Sequence, residues 1–240
     1  MTKHIHERQS ESGNVIFFIL LGVVLLGLVT IALQAGGDKG ANIDRETLAV
    51  KIKEVREQSQ DLERGVIFII QNGVSDNDIR FAHPNAPTQY GDIDDDPGDP
   101  PQYTFQLFHR KGGGVEYRSP PTGITNSQVN WEFYGHTALP DVGTDAPELI
   151  AVIPDVTDAF CAKINEVNGF SESTEPEDTG SGEDNCINGG VSNRFGDIKQ
   201  YADPPNTVDV VSFSSVTQPL EGCVLCEGGE KEFFHVLLAR

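Results

Sequence analysis

The sequence predicts an α+β fold in which a long N-terminal helix, half membrane-spanning and half amphipathic, packs on an antiparallel β-sheet. Three observations support this prediction. Residues 15–33 are apolar without interruption, residues 44–72 repeat apolar side chains at helical spacing, and several later segments alternate apolar and polar side chains as strands do. We therefore expect a leader at 1–13, a transmembrane helix at 14–35 and one α+β domain at 36–240.

The apolar stretch at 15–33 contains no charged residue and no proline. As a helix rising 1.5 Å per residue it would be about 28 Å long, which matches the hydrocarbon core of a bilayer. Lys3 and Arg8 precede it, so the positive-inside rule favours a cytoplasmic N-terminus and a domain on the other side of the membrane. A secretory signal peptide is the alternative, but the stretch is longer than the apolar region of such peptides.

The domain after this stretch is strongly acidic. The chain has a net charge of −20, and the imbalance lies after residue 33, which argues against nucleic acid and anionic lipid surfaces as partners. All four cysteines belong to the same part of the chain, and their even number suits an oxidising compartment. We expect them to form disulfides, with free buried thiols as the alternative.

The N-terminal pattern has a counterpart in a known family. A charged leader ending in Ser12 and Gly13, an uninterrupted apolar helix and then an amphipathic helix resemble the type IV pilins and the pseudopilins of type II secretion. The resemblance implies a pilin-like fold and cleavage by a prepilin peptidase after Gly13, which makes Asn14 the new N-terminus. Asn14 and Phe18 replace the family's usual Phe and Glu, which argues against a major repeating subunit and leaves the minor, tip-type subunits.

The span and the resemblance together imply a location and partners. We expect a single-pass protein of the bacterial inner membrane whose C-terminal domain lies in the periplasm or on an extracellular filament. Its partners would be the membrane, through one span, and other pilin-like subunits or secretion-system proteins. Nucleic acid is not an expected partner.

The segment at 44–72 is predicted to be the amphipathic helix. Asp44 can cap its start and Gly73 can end it. Apolar residues recur on one face at steps of three and four: Leu48, Ile52, Val55, Leu62, Val66 and Ile69. A coiled coil is the alternative, but polar Ser59 within the stripe and an end that is apolar all round favour packing on a sheet.

An acidic loop follows between 74 and 102, and it contains Asp92, Asp94 and Asp96. Carboxylates at alternate positions can bind calcium, as they do in loops of related pseudopilins. The EF-hand pattern fails because Pro97 stands where its glycine would be and Tyr103 where its last Glu would be. A solvated acidic loop therefore competes with the calcium site, and no other cofactor is expected.

The rest of the chain is predicted to contain strands, one further helix and one loop. Tyr103 begins a predicted hairpin that extends to residue 118, and further strands are expected at 129–133, 207–213 and 232–238. The last of these is apolar on both faces apart from His235, which indicates a central strand. Residues 149–153 are either a buried strand or a helical turn. A second helix follows Asp155, and the acidic stretch at 171–185 is predicted to be disordered.

The four cysteines allow three pairings. We favour Cys161 with Cys186, which would anchor the acidic loop, and Cys223 with Cys226 across a bend. The competing arrangement joins Cys161 to Cys223 or Cys226. The C-x-x-C spacing of the last two is also found in redox enzymes and in half zinc sites, but a structural disulfide is favoured because no second such pair occurs.

No motif for catalysis is present in the sequence. The six histidines show no metal-ligand spacing, and neither a nucleophile elbow nor a phosphate-binding glycine loop occurs. The predicted function is therefore non-enzymatic: a minor pilin or pseudopilin-like structural subunit of an envelope-spanning pilus or secretion filament. The alternative is a single-pass, membrane-anchored periplasmic protein that binds a ligand or partner and does not assemble. A membrane-anchored enzyme is a more distant third.

Overall fold

The computed structural model describes Phe17 and residues 19–24, 39–93, 103–170, 177–178, 186–187, 194–196, 200–208, 219–226 and 228–240. The chain divides into two compact units, Met1–Thr47 and Leu48–Arg240. In the first unit, Phe17 and residues 19–24 are helical. The leader at 1–13 and most of the stretch at 15–33 lie outside the described residues.

The predicted membrane anchor is corrected by the structure. Within the part of the chain that the structure describes, none of the helices combines the length and the apolar character that crossing a bilayer requires. The predicted location, a single-pass protein of the inner membrane, is therefore corrected, and most of the predicted helix at 14–35 lies outside the described residues.

Besides the helical residues at 17 and 19–24, the described elements are two helices, two short 3-10 turns and six strands. Helix α1 is Lys39–Gln71 and helix α2 is Asp158–Val167, and the turns are Asp76–Asp78 and Thr88–Tyr90. The strands are β1 Glu132–Ala138, β2 Leu149–Ile153, β3 Glu177–Asp178, β4 Tyr201–Thr207, β5 Glu221–Cys226 and β6 Lys231–Leu238.

The strands form one mixed sheet in the order β3-β5-β6-β2-β1-β4. The central pairs β5/β6, β6/β2 and β2/β1 are antiparallel, whereas β4 pairs parallel with β1 and β3 pairs parallel with β5. Parallel pairing needs a long crossover, and the connections to both edge strands are long. The predicted fold class, a pilin-like helix with a membrane half on an antiparallel sheet, is therefore wrong.

Apolar side chains cover both faces of the sheet. Phe133, Ala151 and Phe233 lie in one core cluster with residues of both helices, and Tyr134 and Phe234, each one position along its strand, lie in a second cluster on the other face. Strand β6 lies between β5 and β2 and is buried along most of its length. The prediction of a central strand at 232–238 is therefore confirmed.

The apolar face of α1 is buried as the spacing predicted. Ile52, Val55, Leu62, Val66 and Ile69 are at most 4% exposed. The helix begins at Lys39, earlier than the predicted Asp44, and Gly73 follows its end with φ +88°. A Cβ atom at Gly65 would collide with Val115 and Leu107, so this glycine allows the 107–115 segment to lie directly against the helix.

The predicted hairpin at 103–118 is wrong. The backbone of Arg80 takes the bonds that a hairpin partner would make: its N–H donates to the carbonyl of Phe105 and its carbonyl accepts from Leu107, both at 2.9 Å. The following residues close tight turns, in which Gly112 donates to the carbonyl of His109. Pairing with Arg80 therefore takes two of the bonds that the predicted hairpin would make. Of the local pairing, the bond from the Val115 N–H to the Leu107 carbonyl is present, at 3.2 Å.

The structure also tests three smaller predictions about secondary structure. Residues 149–153 form strand β2 and all are buried, which settles the choice between strand and helical turn. The second helix is capped by Thr157 instead of Asp155, and the Thr157 hydroxyl accepts from the backbone N–H of Phe160 at 3.3 Å. Within the predicted disordered loop, Glu177–Asp178 form β3, and residues 171–176 and 179–185 lie outside the described residues.

The disulfides are Cys161–Cys223 and Cys186–Cys226, with Cα atoms 5.3 Å and 4.9 Å apart. The favoured pairing of the sequence analysis is therefore wrong, and the competing bond from Cys161 to Cys223 is the one present. Cys223 and Cys226 stand three residues apart on one strand, so their side chains point to opposite faces of the sheet. Each bonds to the element that covers its own face.

We expect peptide mapping without reduction to reproduce this connectivity. Proteolysis followed by mass spectrometry should give one linked pair that contains Cys161 and Cys223 and a second that contains Cys186 and Cys226. Cleavage between Val224 and Leu225 makes the test decisive, because it separates the two cysteines of β5. Recovery of a Cys161–Cys186 link, or of four alkylatable thiols, would contradict the structure.

Candidate functional site

A cluster of charged side chains lies where α1, α2 and the sheet meet, and its sheet residues are buried whereas its residues on α1 are partly exposed. The His235 cluster, as we call it, consists of His235 on β6, Glu221 on β5, Arg56 and Glu63 on α1, and Asn168 at the end of α2. His235 is 7% exposed and Glu221 9%. One face of the sheet carries the helices, and it presents residues 221, 223, 233, 235 and 237. Two strands therefore present charged groups to α1.

The geometry of the cluster brings two carboxylates to one imidazole. His235 Nδ1 lies 3.2 Å from Glu221 Oε2, and its Nε2 lies 3.1 Å from Glu63 Oε2. Asn168 Nδ2 donates to Glu221 Oε1 at 3.1 Å. Arg56 Nε is 2.9 Å from the same oxygen, an ion pair without hydrogen-bond geometry. Two ionised acceptors require two ring N–H donors, so the arrangement favours the imidazolium form of His235.

The electrostatics of the cluster follow from this geometry. Burial opposes the charge on His235, but the hydrogen bonds with Glu221 and Glu63 outweigh it and raise the pKa of the imidazole. Burial also opposes the charge on Glu221, yet bonds from His235 and Asn168 and the nearby Arg56 charge hold the pKa of this carboxyl below its usual value. The positive charges of Arg56 and His235 thus balance the negative charges of Glu221 and Glu63.

The raised pKa of His235 predicts a stability that depends on pH. Its contribution is complete below about pH 6.5, the pKa of an unfolded histidine, and is lost as the pH rises through the folded pKa. We expect the melting temperature of the wild type to fall as the pH rises above 7, and His235→Gln to reduce this fall.

His83 provides the matched control for this pH prediction. Burial lowers the pKa of His83, so His83→Gln should leave the fall in melting temperature above pH 7 unchanged. Burial raises the pKa of Glu148 to about 7, so the stability that this carboxyl contributes is present mainly below that pH. Glu148 is unchanged in both variants and does not affect their comparison. An equal decline in the wild type and His235→Gln would mean that His235 is neutral in the folded protein.

The other face of the sheet carries a second buried polar group. Glu132 accepts hydrogen bonds from the hydroxyl of Tyr134 and the guanidinium of Arg194. Burial, and then the Glu132 charge, raises the pKa of Tyr134. These groups bond to one another inside the core, and the arrangement stabilises β1 against the segment around Arg194.

Beside the His235 cluster, the exposed flank of α1 forms two open grooves. The first lies between α1 and the end of α2 and is lined by Ala49, Ile52, Lys53, Arg56, Glu57, Gln60 and Val167. The second lies between α1 and the 113–118 segment and includes Phe68, which is 51% exposed. Together they give a surface of mixed charge with apolar side chains at both ends.

The structure brings only some of the residues predicted as site residues into contact with one another. Gly13, Asn14, Asp94 and Asp96 lie outside the described residues, and Asp92 is exposed. The four cysteines form two disulfides, as described above. The His235 cluster was not predicted from the sequence. His235 is the lone polar residue in the apolar part of β6, and that contrast was the available signal.

Comparison with known proteins gives no match to a family model, a curated protein or a solved structure. Fold and site therefore define the protein only as a class. It is a disulfide-bonded α and β domain with a mixed sheet, whose long helix contacts a buried histidine of the sheet through Glu63.

Proposed function

We propose that this chain is a non-enzymatic structural subunit, of minor pilin or pseudopilin type, in an extracytoplasmic filament or secretion assembly. The observation that carries the proposal is helix α1. From Leu48 on, one face of α1 is buried in the domain and fixed by the His235 cluster, while the other face carries exposed Ile67 and Phe68. A helix held in this way is suited to contact neighbouring subunits.

The charge of α1 supports this proposal. The chain has a net charge of −20, so two copies or two similarly acidic subunits would repel one another over most of their surfaces. Helix α1 contains six basic and six acidic residues and is electrically balanced. Its exposed flank is therefore a surface where acidic subunits can approach without a large electrostatic cost.

The two disulfides support a place outside the cytoplasm. Disulfides persist in oxidising compartments, such as the periplasm and the cell surface, and are reduced in most cytosols. Both bonds join parts of the chain far apart in sequence, which stabilises a domain that must withstand conditions outside the cell.

N-terminal mass spectrometry tests the proposal. The full chain is expressed with and without a prepilin peptidase, and we expect the peptidase to remove residues 1–13 and leave Asn14 first. Gly13→Leu is the matched control, because it should block the cleavage and leave folding unchanged. An identical, uncleaved N-terminus in both strains would argue against a pilin-type subunit.

A second candidate function is a domain that binds a partner and does not assemble. The groove lined by Lys53, Arg56 and Val167 favours it, since it is open, partly apolar and beside α2. This function needs no processing at Gly13. Crosslinking in cells distinguishes the two candidates, because a filament subunit gives a ladder of oligomers and a partner-binding domain gives one defined adduct.

A further inference from the structure

The second disulfide has an acidic neighbour. Cys186, Cys226 and Glu232 each present one ligand atom, and the two sulfur atoms and the carboxylate oxygen all lie within 4.8 Å of one another. Glu232 is 5% exposed and Cys226 6%, whereas Cys186 is partly exposed. Thiolate sulfur, which these cysteines would present once their bond is reduced, and carboxylate oxygen are both ligand types that zinc uses in proteins.

The strand register supports this juxtaposition independently of the side-chain positions. Glu232 is paired with Val224 across β5 and β6, so both side chains lie on the same face of the sheet. Cys226 is two residues beyond Val224 on the same strand and lies on that face as well. The backbone therefore brings Cys226 and Glu232 together, and the bond to Cys186 adds the third group.

We propose that reductive opening of Cys186–Cys226 converts this cluster into a zinc site. Its protein ligands are the Sγ atoms of Cys186 and Cys226 and the carboxylate of Glu232, with a water in the fourth position. The site is distinct from the His235 cluster, which lies on the other face of the sheet, and it does not depend on the proposed assembly function.

The chemistry of this conversion balances with a dithiol as the reductant. One thiolate of the dithiol attacks a sulfur of the Cys186–Cys226 bond, which forms a mixed disulfide and releases one cysteine as a thiolate. The second thiolate of the reductant then attacks the reductant's own sulfur in the mixed disulfide and releases the other cysteine, and both cysteines take up a proton. The dithiol is oxidised to its disulfide, and Cys186 and Cys226 become thiols. Zinc then binds both as thiolates, and two protons pass to the solvent.

The two disulfides of the protein differ in a way that makes the opening selective. Cys161 and Cys223 are both 0% exposed and lie within the apolar cluster beneath the helices. A reductant reaches Cys186 from solvent without unfolding the domain, whereas Cys161–Cys223 requires the core to open. The folded protein can therefore lose one bond and keep the other.

Zinc binding to the reduced full-length chain tests the proposal. A phosphine is used as the reductant because dithiols bind zinc themselves, and alkylation with mass spectrometry identifies the opened bond. We expect one zinc per chain after reduction and none in the oxidised protein. Cobalt in place of zinc should give thiolate-to-cobalt charge-transfer absorption, which reports sulfur ligands without any substitution in the chain.

Two variants assign the ligands. Glu232→Gln keeps the size of the side chain and should weaken zinc binding at least about tenfold. The double variant Cys186→Ser with Cys226→Ser keeps the Cys161–Cys223 bond and should bind no zinc. Binding that persists in the double variant overturns the proposal. So does a reduced wild type without zinc or charge-transfer absorption, or a Cys186–Cys226 bond that the phosphine does not open in the folded chain.

Discussion

Replacing Ile69 by aspartate is expected to lower the free energy of unfolding by about 4 kcal/mol. Ile69 is 1% exposed in the cluster between α1 and the sheet. Aspartate would remove an apolar side chain from this core and place an unpaired carboxylate there. Urea unfolding followed by circular dichroism measures the change.

Ile67→Asp is the matched control, because Ile67 is the same residue type two positions earlier and is 38% exposed. Both variants carry the cost of an aspartate near the C-terminal end of a helix, about 1 kcal/mol from helix propensity and dipole. The remaining difference of about 3 kcal/mol is due to burial. Equal losses in the two variants would show that the buried face of α1 is assigned wrongly.

Removal of the Cys161–Cys223 bond should have an effect of similar size. The bond closes a loop of 62 residues, and the chain-entropy model gives it about 4 kcal/mol. Asn165 docks α2 beside it, since its side chain donates to the carbonyl of Cys223 and accepts from the N–H of Cys223, at 2.9 Å and 2.8 Å. We expect Cys161→Ala with Cys223→Ala to lose most of the folded population at 37 °C.

The other bond provides the comparison. Cys186–Cys226 closes a loop of 40 residues, so its entropic contribution is nearly the same. Cys186 is partly exposed, however, and its replacement removes less packing than that of fully buried Cys161. The variant without Cys186–Cys226 should therefore have the higher midpoint in urea, and the reverse order would contradict the burial that distinguishes the two bonds.

Local patterns predicted the features of the fold that follow from short-range periodicity. Apolar spacing predicted the buried face of α1, and the continuous apolar run predicted the central strand β6. The same reasoning failed at 103–118, where alternation suggested a hairpin. There the backbone of Arg80, far earlier in the chain, takes the hydrogen bonds instead.

The cysteines and the candidate site show what local patterns lack. Residues three apart on a strand face opposite sides of the sheet, and this rule could be applied to the sequence. Unless the chain bends between Cys223 and Cys226, the rule excludes a bond between these two cysteines, which was the favoured pairing. The partners of His235 could not be read from the sequence. Glu63 is 172 residues away along the chain, and only the packing of α1 on the sheet brings them together.

The sequence by itself determined the acidic charge, the helical face, the central strand and the even set of cysteines, because each depends on composition or on short-range periodicity. The tertiary structure alone decided the mixed strand order, the disulfide connectivity and the charge cluster around His235. Those features depend on contacts between residues far apart in the chain. Long connections allow many such contacts, and the packing of the two cores selects among them.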